Sequence, residues 1–199
     1  MKLVLASDNK GKLREFGALF ADHGIEVVSQ GSLGVTPCEE PYGTFLENAL
    51  AKARNAARAT GLAAMADDSG IMAHALVTEP GVHSARYSGE KSNDAANNAK
   101  LVERLSAFED KSAHYTCVLV AVRSHDDPDP IVCEGCWYGE IVATPKGDGG
   151  FGYDPHFYLP EKGCTAAELS AEEKNQLSHR GKAMRLLLTE MQERWGVGR

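Results

Sequence analysis

Three features are missing from the sequence: an excess of basic residues, a long apolar run and an even set of cysteines. Its 199 residues include 28 Asp and Glu against 21 Lys and Arg, which gives a formal net charge of −7. Proteins that bind a nucleic-acid backbone neutralise many phosphates with a basic face. The charge therefore argues against a nucleic-acid partner, whereas a small anionic substrate in a local pocket remains compatible with it.

The apolar run at the N-terminus covers only residues 3–6 and is followed at once by the polar residues 7–10. It is far too short for a signal peptide or for a membrane span. We therefore expect a cytoplasmic protein with no membrane partner.

The five cysteines are odd in number and scattered along the chain, so reduced thiols are the simplest interpretation. One C-x-x-C is present, at residues 133–136. It follows the apolar Ile131 and Val132 and is predicted to lie in a strand, where the two sulfurs would point to opposite faces. No second C-x-x-C and no H-x-x-x-H is available to complete a zinc site.

Chain length and apolar periodicity together indicate the fold class. A chain of this size buries roughly 70% of the surface exposed when unfolded, so it needs no disulfide or structural metal. Residues 3–6 are typical of a buried strand, residues 11–22 of a helix and residues 25–28 of a second strand. This order predicts an α/β fold, as one compact domain or two closely joined lobes.

Further elements are predicted along the chain. Thr44 begins a helix as N-cap, with Glu47 as the partner of a capping box, and the helix runs to about Thr60. The pattern also predicts a strand over residues 62–66, a helix over 93–105, a β-hairpin from 113–122 and 131–144, and a final helix over 178–195.

The helix that begins at Thr44 has two distinct faces. The predicted buried stripe consists of Phe45, Leu46, Ala49, Leu50 and Ala53. The predicted polar face consists of Thr44, Asn48, Lys52 and Asn55.

Two pairs of adjacent acids are candidates for metal binding. Asp67 and Asp68 close an apolar strand, where desolvation and mutual repulsion are unfavourable unless a positive charge lies beside them. Glu39 and Glu40 form a second pair on a turn-rich loop, and Mg²⁺ commonly takes one or two carboxylates with waters and phosphate oxygens. The alternatives are a helix N-cap at residues 67–68 and a solvated loop at residues 39–40.

The segment between the first strand and the first helix is a candidate anion site. Free backbone N–H groups and the helix dipole favour an anion there, and side-chain donors and a lysine add to this. The segment consists of Ser7, Asp8, Asn9, Lys10, Gly11 and Lys12. It lacks the P-loop spacing, so helix capping with a surface lysine is the alternative.

Two segments near the C-terminus could bind a planar base. Residues 151–155 combine aromatic side chains, which can stack, with a carboxylate and flexible glycine backbone; a packed turn is the alternative. Ser178 is a good N-cap for the last helix, and His179 and Arg180 could donate to ligand oxygens or simply lie on the surface. Taken together, these groups are what a metal-dependent nucleoside triphosphate hydrolase requires.

The sequence resembles the inosine/xanthosine triphosphate pyrophosphatases, also called the Ham1 or non-standard purine NTP pyrophosphatase family, over nearly its whole length. The matching motifs, in order, are Ser7-x-Asn9-x-x-Lys12, Glu39-Glu40, Thr44-Phe45-x-Glu47-Asn48-Ala49 with Lys52-Ala53, Ala66-Asp67-Asp68-Ser69-Gly70, Pro80-Gly81-Val82-x-Ser84-Ala85-Arg86-Tyr87, Gly149-Gly150-Phe151-Gly152-Tyr153-Asp154-Pro155, and Glu172-x-Lys174 with Ser178-His179-Arg180. The resemblance implies a single Ham1-like domain over residues 1–199. It also implies a two-lobed α/β fold with an elongated mixed sheet flanked by helices, a cleft between the lobes as active site, and a homodimer.

The same resemblance assigns roles to individual residues. It implies Mg²⁺-dependent hydrolysis of dITP, ITP and XTP to monophosphate and pyrophosphate, with Asp68 as proton acceptor. Metal ligands would come from Glu39, Glu40, Asp67 and Asp68. The implied substrate-binding residues are Ser7, Asp8, Asn9, Lys10, Gly11, Lys12, Lys52, Ser69, Phe151, Gly152, Tyr153, Asp154, Lys174, His179 and Arg180.

One departure from the family pattern lies in the anion site. Asp8 stands where many relatives carry glycine, and its carboxylate would repel a phosphate unless it is directed elsewhere. Two other functions remain open from the residues alone: a Maf-like pyrophosphatase acting on pyrimidine or modified nucleotides, and a nucleotide-sensing module without turnover.

Overall fold

Strands and helices alternate up to residue 122, as the apolar periodicity predicts, and further strands and then helices follow. The computed structural model describes residues 1–89 and 93–198 and contains, in chain order, β1 (Lys2–Leu5), α1 (Lys10–Ala21), β2 (Glu26–Ser29), α2 (Phe45–Thr60), β3 (Ala64–Ala73), α3 (Asp94–Leu105), β4 (Ser112–Val122), β5 (Ile131–Ile141), β6 (Phe157–Leu159), β7 (Cys164–Thr165), α4 (Ala171–Leu177) and α5 (His179–Trp195). In the described ranges, no helix has both the length and the apolarity needed to cross a membrane.

The strands form one mixed sheet with the order β2-β1-β3-β4-β5-β6-β7. β1 pairs in parallel with both β2 and β3, as expected when helices connect the strands. β6 pairs antiparallel with both β5 and β7. The predicted α/β class with a mixed sheet is therefore confirmed.

Side-chain caps explain where the helices begin. Asn9 caps α1, Thr44 caps α2 and Asn93 caps α3, each accepting a hydrogen bond from a backbone N–H of the first turn. The Thr44 cap includes the predicted partner, because the Thr44 hydroxyl accepts from the N–H of Glu47 at 3.2 Å and donates to its carboxylate at 2.7 Å. The predicted starts of these helices are confirmed to within one or two residues.

The first of two compact units comprises residues 1–68 and 118–134 and the chain from Ala183 onward. Its core is rich in alanine, because α2 packs its small side chains against valines and alanines of β1, β3 and β4. The predicted buried stripe of α2 is wrong at Leu46, whose side chain is 43% exposed, while Ala56 and Ala57 are buried instead. The helix is thus rotated slightly from the predicted orientation, and its small residues let it approach the sheet closely.

The second unit comprises residues 69–117 and 135–182. Its core is aromatic: Tyr115 meets Phe157 edge to face with ring centroids 4.7 Å apart, and Trp137 lies 5.3 Å from Phe157. Leu101 and Leu105 of α3 are buried in the same cluster. This packing fixes α3 against the strands of the unit.

The acidic pair Asp67-Asp68 lies inside a strand rather than at its end. The sequence predicts a strand over residues 62–66, whereas β3 continues from Ala64 to Ala73. Adjacent acids do not end the strand, because lysines and an amide from neighbouring helices contact both carboxylates. The helix N-cap that the sequence left open for this pair is therefore wrong.

Candidate active site

The candidate anion site, residues 7–12, connects β1 to α1. The side-chain oxygen of Asn9 accepts hydrogen bonds from the N–H groups of Gly11 at 2.8 Å and Lys12 at 3.1 Å. The hydroxyl of Ser7 accepts from the N–H of Asn9 at 3.2 Å, and the side chain of Lys10 is exposed. The loop is therefore held in a defined turn by its own side chains, with Asn9 serving as a helix cap.

The side chain of Asp8 is directed to the turn after β2. Its Oδ1 accepts from the N–H of Gly31 at 2.8 Å, and its Oδ2 accepts from the amide of Gln30 at 3.4 Å. Two donors thus occupy the carboxylate that the sequence analysis identified as a source of repulsion. Asp8 serves here as an anchor between the loop and the turn at residues 30–31.

Gly31→Ala tests this anchor. An added Cβ would lie 2.3 Å from Oδ1 of Asp8, so the two groups could not keep their positions. We expect the substitution to cost roughly 1 kcal/mol, about 2 to 4 °C in melting temperature for a chain of this size. In an Asp8→Ala background the same substitution should cost much less. An equal loss of melting temperature in both backgrounds would contradict the anchor.

Asp67 and Lys12 form an ion pair inside the first unit. The ammonium group of Lys12 donates to both carboxylate oxygens of Asp67 at 2.7 Å. Asp67 is only 3% exposed, so its charge requires a close cation. The pair therefore fixes the position of the Lys12 side chain at the end of the loop.

Asp68 belongs to a different set of contacts, because successive residues of a strand point to opposite faces. Its Oδ2 accepts from the amide of Asn48 at 3.1 Å, and its Oδ1 lies 3.7 Å from the ammonium of Lys52. Lys52 also donates to Glu40 at 2.8 Å. Burial opposes the charged form of Lys52, but Asp68 and Glu40 outweigh it and raise the pKa of Lys52 above its usual value.

The four predicted metal ligands differ in their exposure and in the groups that they contact. Glu39 is exposed, and both oxygens of Asp67 contact Lys12. Within residues 1–89 and 93–198, no three His, Cys, Asp or Glu side chains are close enough together to hold a metal ion. Glu40 and Asp68 nevertheless flank one cation, the ammonium of Lys52. Two carboxylates suffice for Mg²⁺ when phosphate oxygens and waters complete its shell, so this pair fits a divalent cation.

A cavity of about 260 Å³ brings several of these groups together within the first unit. Among the residues that line it are Ser7, Lys12, Glu40, Lys52 and Asp67. Lysines can neutralise a polyphosphate, while carboxylates can hold a cation beside it. The cavity is thus suited to a polyphosphate bound together with a metal ion.

The second unit carries the candidate base-binding residues. The ring of Phe151 is 61% exposed. The ammonium of Lys174 lies 4.6 Å and the guanidinium of Arg180 lies 5.6 Å from the centre of this ring. An exposed aromatic ring beside two groups that only donate hydrogen bonds is suited to a planar ligand with acceptor atoms.

Asp154 is the buried acid that organises this region. It accepts from the ammonium of Lys174, from the N–H of Phe151 at 2.8 Å and from the hydroxyl of Tyr115 at 3.3 Å. Burial, reinforced by the nearby Asp154 carboxylate, raises the pKa of Tyr115 well above its usual value, so Tyr115 remains a donor. Asp154 therefore holds Lys174 and Phe151 in fixed relative positions.

Tyr153 and His179 are packed rather than exposed. The hydroxyl of Tyr153 donates to the carbonyl of Ser84 at 2.7 Å, and its side chain lies in the core of the unit. The ring of His179 stacks on Tyr115 with centroids 4.7 Å apart and planes within 6°. Phe151 is therefore the exposed aromatic residue of residues 151–154, and Lys174 and Arg180 lie over its ring.

Two residues beside the site were missed by the sequence analysis as functional candidates. Asn48 was placed on the polar face of its helix, but its bond to Asp68 depends on a partner twenty residues away. Tyr115 was identified only as one position of an alternating strand, and nothing in that pattern indicates its bond to Asp154. Ser69, a predicted substrate contact, follows Asp68 in β3 and is half-buried.

The chain resembles known proteins over most of its length. The model of the Ham1 family matches residues 3–190. The chain is 60% identical to a dITP/XTP pyrophosphatase of Ralstonia nicotianae, over 94% of both proteins. It is 59% identical to a dITP/XTP pyrophosphatase of Nitrosomonas europaea, over 96% of the chain and 95% of that relative.

Solved structures agree with the sequence comparison. A HAM1 protein from Coxiella burnetii superposes with a TM-score of 0.94 at 46% identity, covering 97% of the chain and 99% of that structure. A nucleoside-triphosphatase, dITP/XTP pyrophosphatase, from Mycobacterium abscessus superposes with a TM-score of 0.79 at 42% identity, covering 94% and 99%. The similarity therefore extends over the whole fold.

Proposed function

The chain belongs to the Ham1 family, and from this premise we propose that it is a nucleoside triphosphate pyrophosphatase. The proposed reaction converts dITP, ITP and XTP to the monophosphate and pyrophosphate, which removes non-standard purines from the nucleotide pool. The names of the similar proteins support dITP and XTP as substrates. The observation that carries the chemistry is the cavity in which Lys12 and Lys52 lie among carboxylates.

The triphosphate is proposed to bind at residues 7–12 and at the two lysines of the cavity. Lys12 is held by Asp67 and Lys52 by Glu40, so neither ammonium has to be ordered when the ligand arrives. Ordering flexible side chains during binding costs free energy, and this arrangement reduces that cost.

Mg²⁺ is the proposed cofactor, and Glu40 and Asp68 are its proposed protein ligands. When bound, it supplies positive charge that orients the phosphates and offsets the charge that develops in the transition state. Glu39 and Asp67 have less support as ligands, because Glu39 is exposed and Asp67 pairs with Lys12.

Asp68 is the proposed proton acceptor for the water that attacks the α-phosphorus. A base must be ionised and must be held in place before it can accept a proton in the transition state. The amide of Asn48 donates to one oxygen of Asp68, and the ammonium of Lys52 lies 3.7 Å from the other. The water's proton would pass to the carboxylate while the bond to the pyrophosphate group breaks.

Base recognition is assigned to Phe151, Lys174 and Arg180, with His179 beside them. Phe151 offers a stacking surface, and lysine and arginine side chains donate hydrogen bonds but accept none. A 6-keto purine presents an acceptor where adenine presents an amino donor. ATP would therefore leave donors facing donors, and such a mismatch can reduce kcat/KM by several orders of magnitude.

Pyrophosphate release measured across ITP, XTP, GTP, ATP, UTP and dTTP with Mg²⁺ tests the proposal. We expect kcat/KM for ITP and XTP to exceed that for ATP by at least about 100-fold. A preference for UTP or dTTP would favour a Maf-like pyrimidine pyrophosphatase. Tight binding of ITP without any pyrophosphate release would favour a nucleotide-sensing module.

A homodimer in the cytoplasm is the proposed working state, and the resemblance to the Ham1 family supports the dimer. Light scattering on the purified protein should then give roughly twice the 21.4 kDa mass of one chain. A mass equal to one chain at micromolar concentration would contradict the dimer.

A further inference from the structure

The glycine-rich loop, residues 147–154, contains four glycines before Asp154. Glycine backbone has the greatest conformational freedom of any residue, so the glycines of this loop do not by themselves fix its shape. It nevertheless carries Phe151, the exposed ring of the candidate base site. Asp154 bonds to Phe151 within the loop, so contacts from outside the loop position both residues relative to the rest of the unit.

Gly152 receives two such contacts, both from the first turns of α3. The carboxylate of Asp94 accepts from the N–H of Gly152 at 2.8 Å. The amide of Asn98 donates to the carbonyl of Gly152 at 2.8 Å and to the carbonyl of Asp94 at 2.8 Å. The two side chains thus form hydrogen bonds with both the N–H and the carbonyl of Gly152, the residue that follows Phe151.

Packing does not duplicate these bonds. A cavity of about 570 Å³ in the second unit is lined by α3 and by the loop, including Asp94, Asn98, Phe151 and Gly152. Where a cavity adjoins a loop, fewer side chains are available to hold it. The hydrogen bonds at Gly152 therefore connect the loop to α3 beside this cavity.

The orientation of the Asn98 side chain is unfavourable at its oxygen atom. It is 7% exposed, and among the described residues its Oδ1 atom is buried without a hydrogen-bond partner. A buried, unsatisfied carbonyl oxygen is unfavourable for stability. The side chain is held in this orientation because its Nδ2 group donates hydrogen bonds to two carbonyls, that of Asp94 and that of Gly152 in the loop.

Helix α3, which carries Asp94 and Asn98, is firmly held in the second unit. Asn93 caps α3 by accepting from the N–H of Ala96 at 3.0 Å. Leu101 and Leu105 of the same helix are buried in the aromatic core. A displacement of Gly152 relative to α3 would therefore require breaking its two bonds rather than moving the helix.

We propose that Asp94 and Asn98 are positioning residues for substrate, which act through Gly152 to present Phe151 to the purine base. This inference rests on the proposed function, because it concerns the base site of that reaction. Neither residue lines the cavity proposed for the triphosphate. Their loss should therefore weaken base binding while the polyphosphate is bound and hydrolysed normally.

Asp94→Ala is the test variant, because Asp94 is exposed and its loss should leave the fold intact, whereas Asn98 is buried. We expect KM for ITP to rise about tenfold with kcat changed less than about twofold, since loop ordering must then be supplied on binding. Inhibition by tripolyphosphate, which has no base, should not change. Asp94→Asn keeps an acceptor oxygen and should restore KM. Glu103→Ala removes a charge from the same helix away from the loop and is the matched control.

Hydrogen exchange of a peptide spanning residues 148–154 gives a readout that needs no activity. Exchange should be faster in Asp94→Ala than in the wild-type protein, and unchanged in Glu103→Ala. Unchanged exchange together with an unchanged KM would overturn the proposal. So would equal weakening of ITP and tripolyphosphate binding. If the wild-type protein does not act on ITP, the proposed function fails, and the exchange result alone decides whether Asp94 holds the loop.

Discussion

Replacing Asp68 by asparagine is expected to reduce kcat for dITP by about 10²- to 10⁴-fold, the usual contribution of general base catalysis. Asparagine is nearly the same size, and its oxygen can still accept the hydrogen bond that Asn48 donates to Asp68. It cannot accept a proton from water at neutral pH. Steady-state pyrophosphate release with saturating Mg²⁺ measures the loss, and the melting temperature checks the fold.

Substitution of the neighbouring acid, Asp67, can be compared directly with substitution of Asp68. Asp67 accepts hydrogen bonds from the ammonium of Lys12, so Asp67→Asn should act mainly on KM through the position of Lys12. Asp22→Asn, at the exposed end of α1, is the matched control for removal of one negative charge. If Asp68→Asn kept kcat within about tenfold of wild type while Asp67→Asn lost it, the proton acceptor would be Asp67 and not Asp68.

Local signals in the sequence were enough to predict the helix that carries much of this site. The capping box at Thr44 and Glu47 depends on residues three apart, and both of its hydrogen bonds are present. Helical spacing placed Asn48 and Lys52 on one face, where the structure shows them contacting Asp68 and Glu40. Such features depend on backbone geometry within a few turns, so one sequence suffices to predict them.

Partners distant in sequence could not be predicted in the same way. The adjacency of Asp67 and Asp68 showed that positive charge was needed beside them. It did not show that a lysine of α1 would contact Asp67 and a lysine of α2 would contact Asp68. That division follows from the pleat of β3 together with the placement of the two helices. The anchoring of Asp8 at Gly31 likewise depends on the parallel pairing of β1 with β2, which brings residues 8 and 31 together.

The second large effect is expected from Lys12→Met. The substitution removes the cation that bonds to both oxygens of Asp67, whose side chain is 2% exposed. A buried carboxylate that loses its cation is strongly unfavourable, so we expect the free energy of unfolding to fall by about 3 kcal/mol. Lys12 itself is partly exposed, which places the estimate at the lower end of the range for buried pairs. Urea denaturation followed by circular dichroism measures the change.

The double variant Lys12→Met with Asp67→Asn separates the two roles of the pair. Neutralising Asp67 removes the buried charge that has lost the ammonium of Lys12, so most of the lost stability should return. Substrate affinity should not return, because the cavity still lacks the ammonium proposed to bind the triphosphate. We expect KM for ITP to remain at least about tenfold above wild type in the double variant. Recovery of both stability and KM would show that Lys12 only neutralises Asp67 and takes no part in binding the substrate.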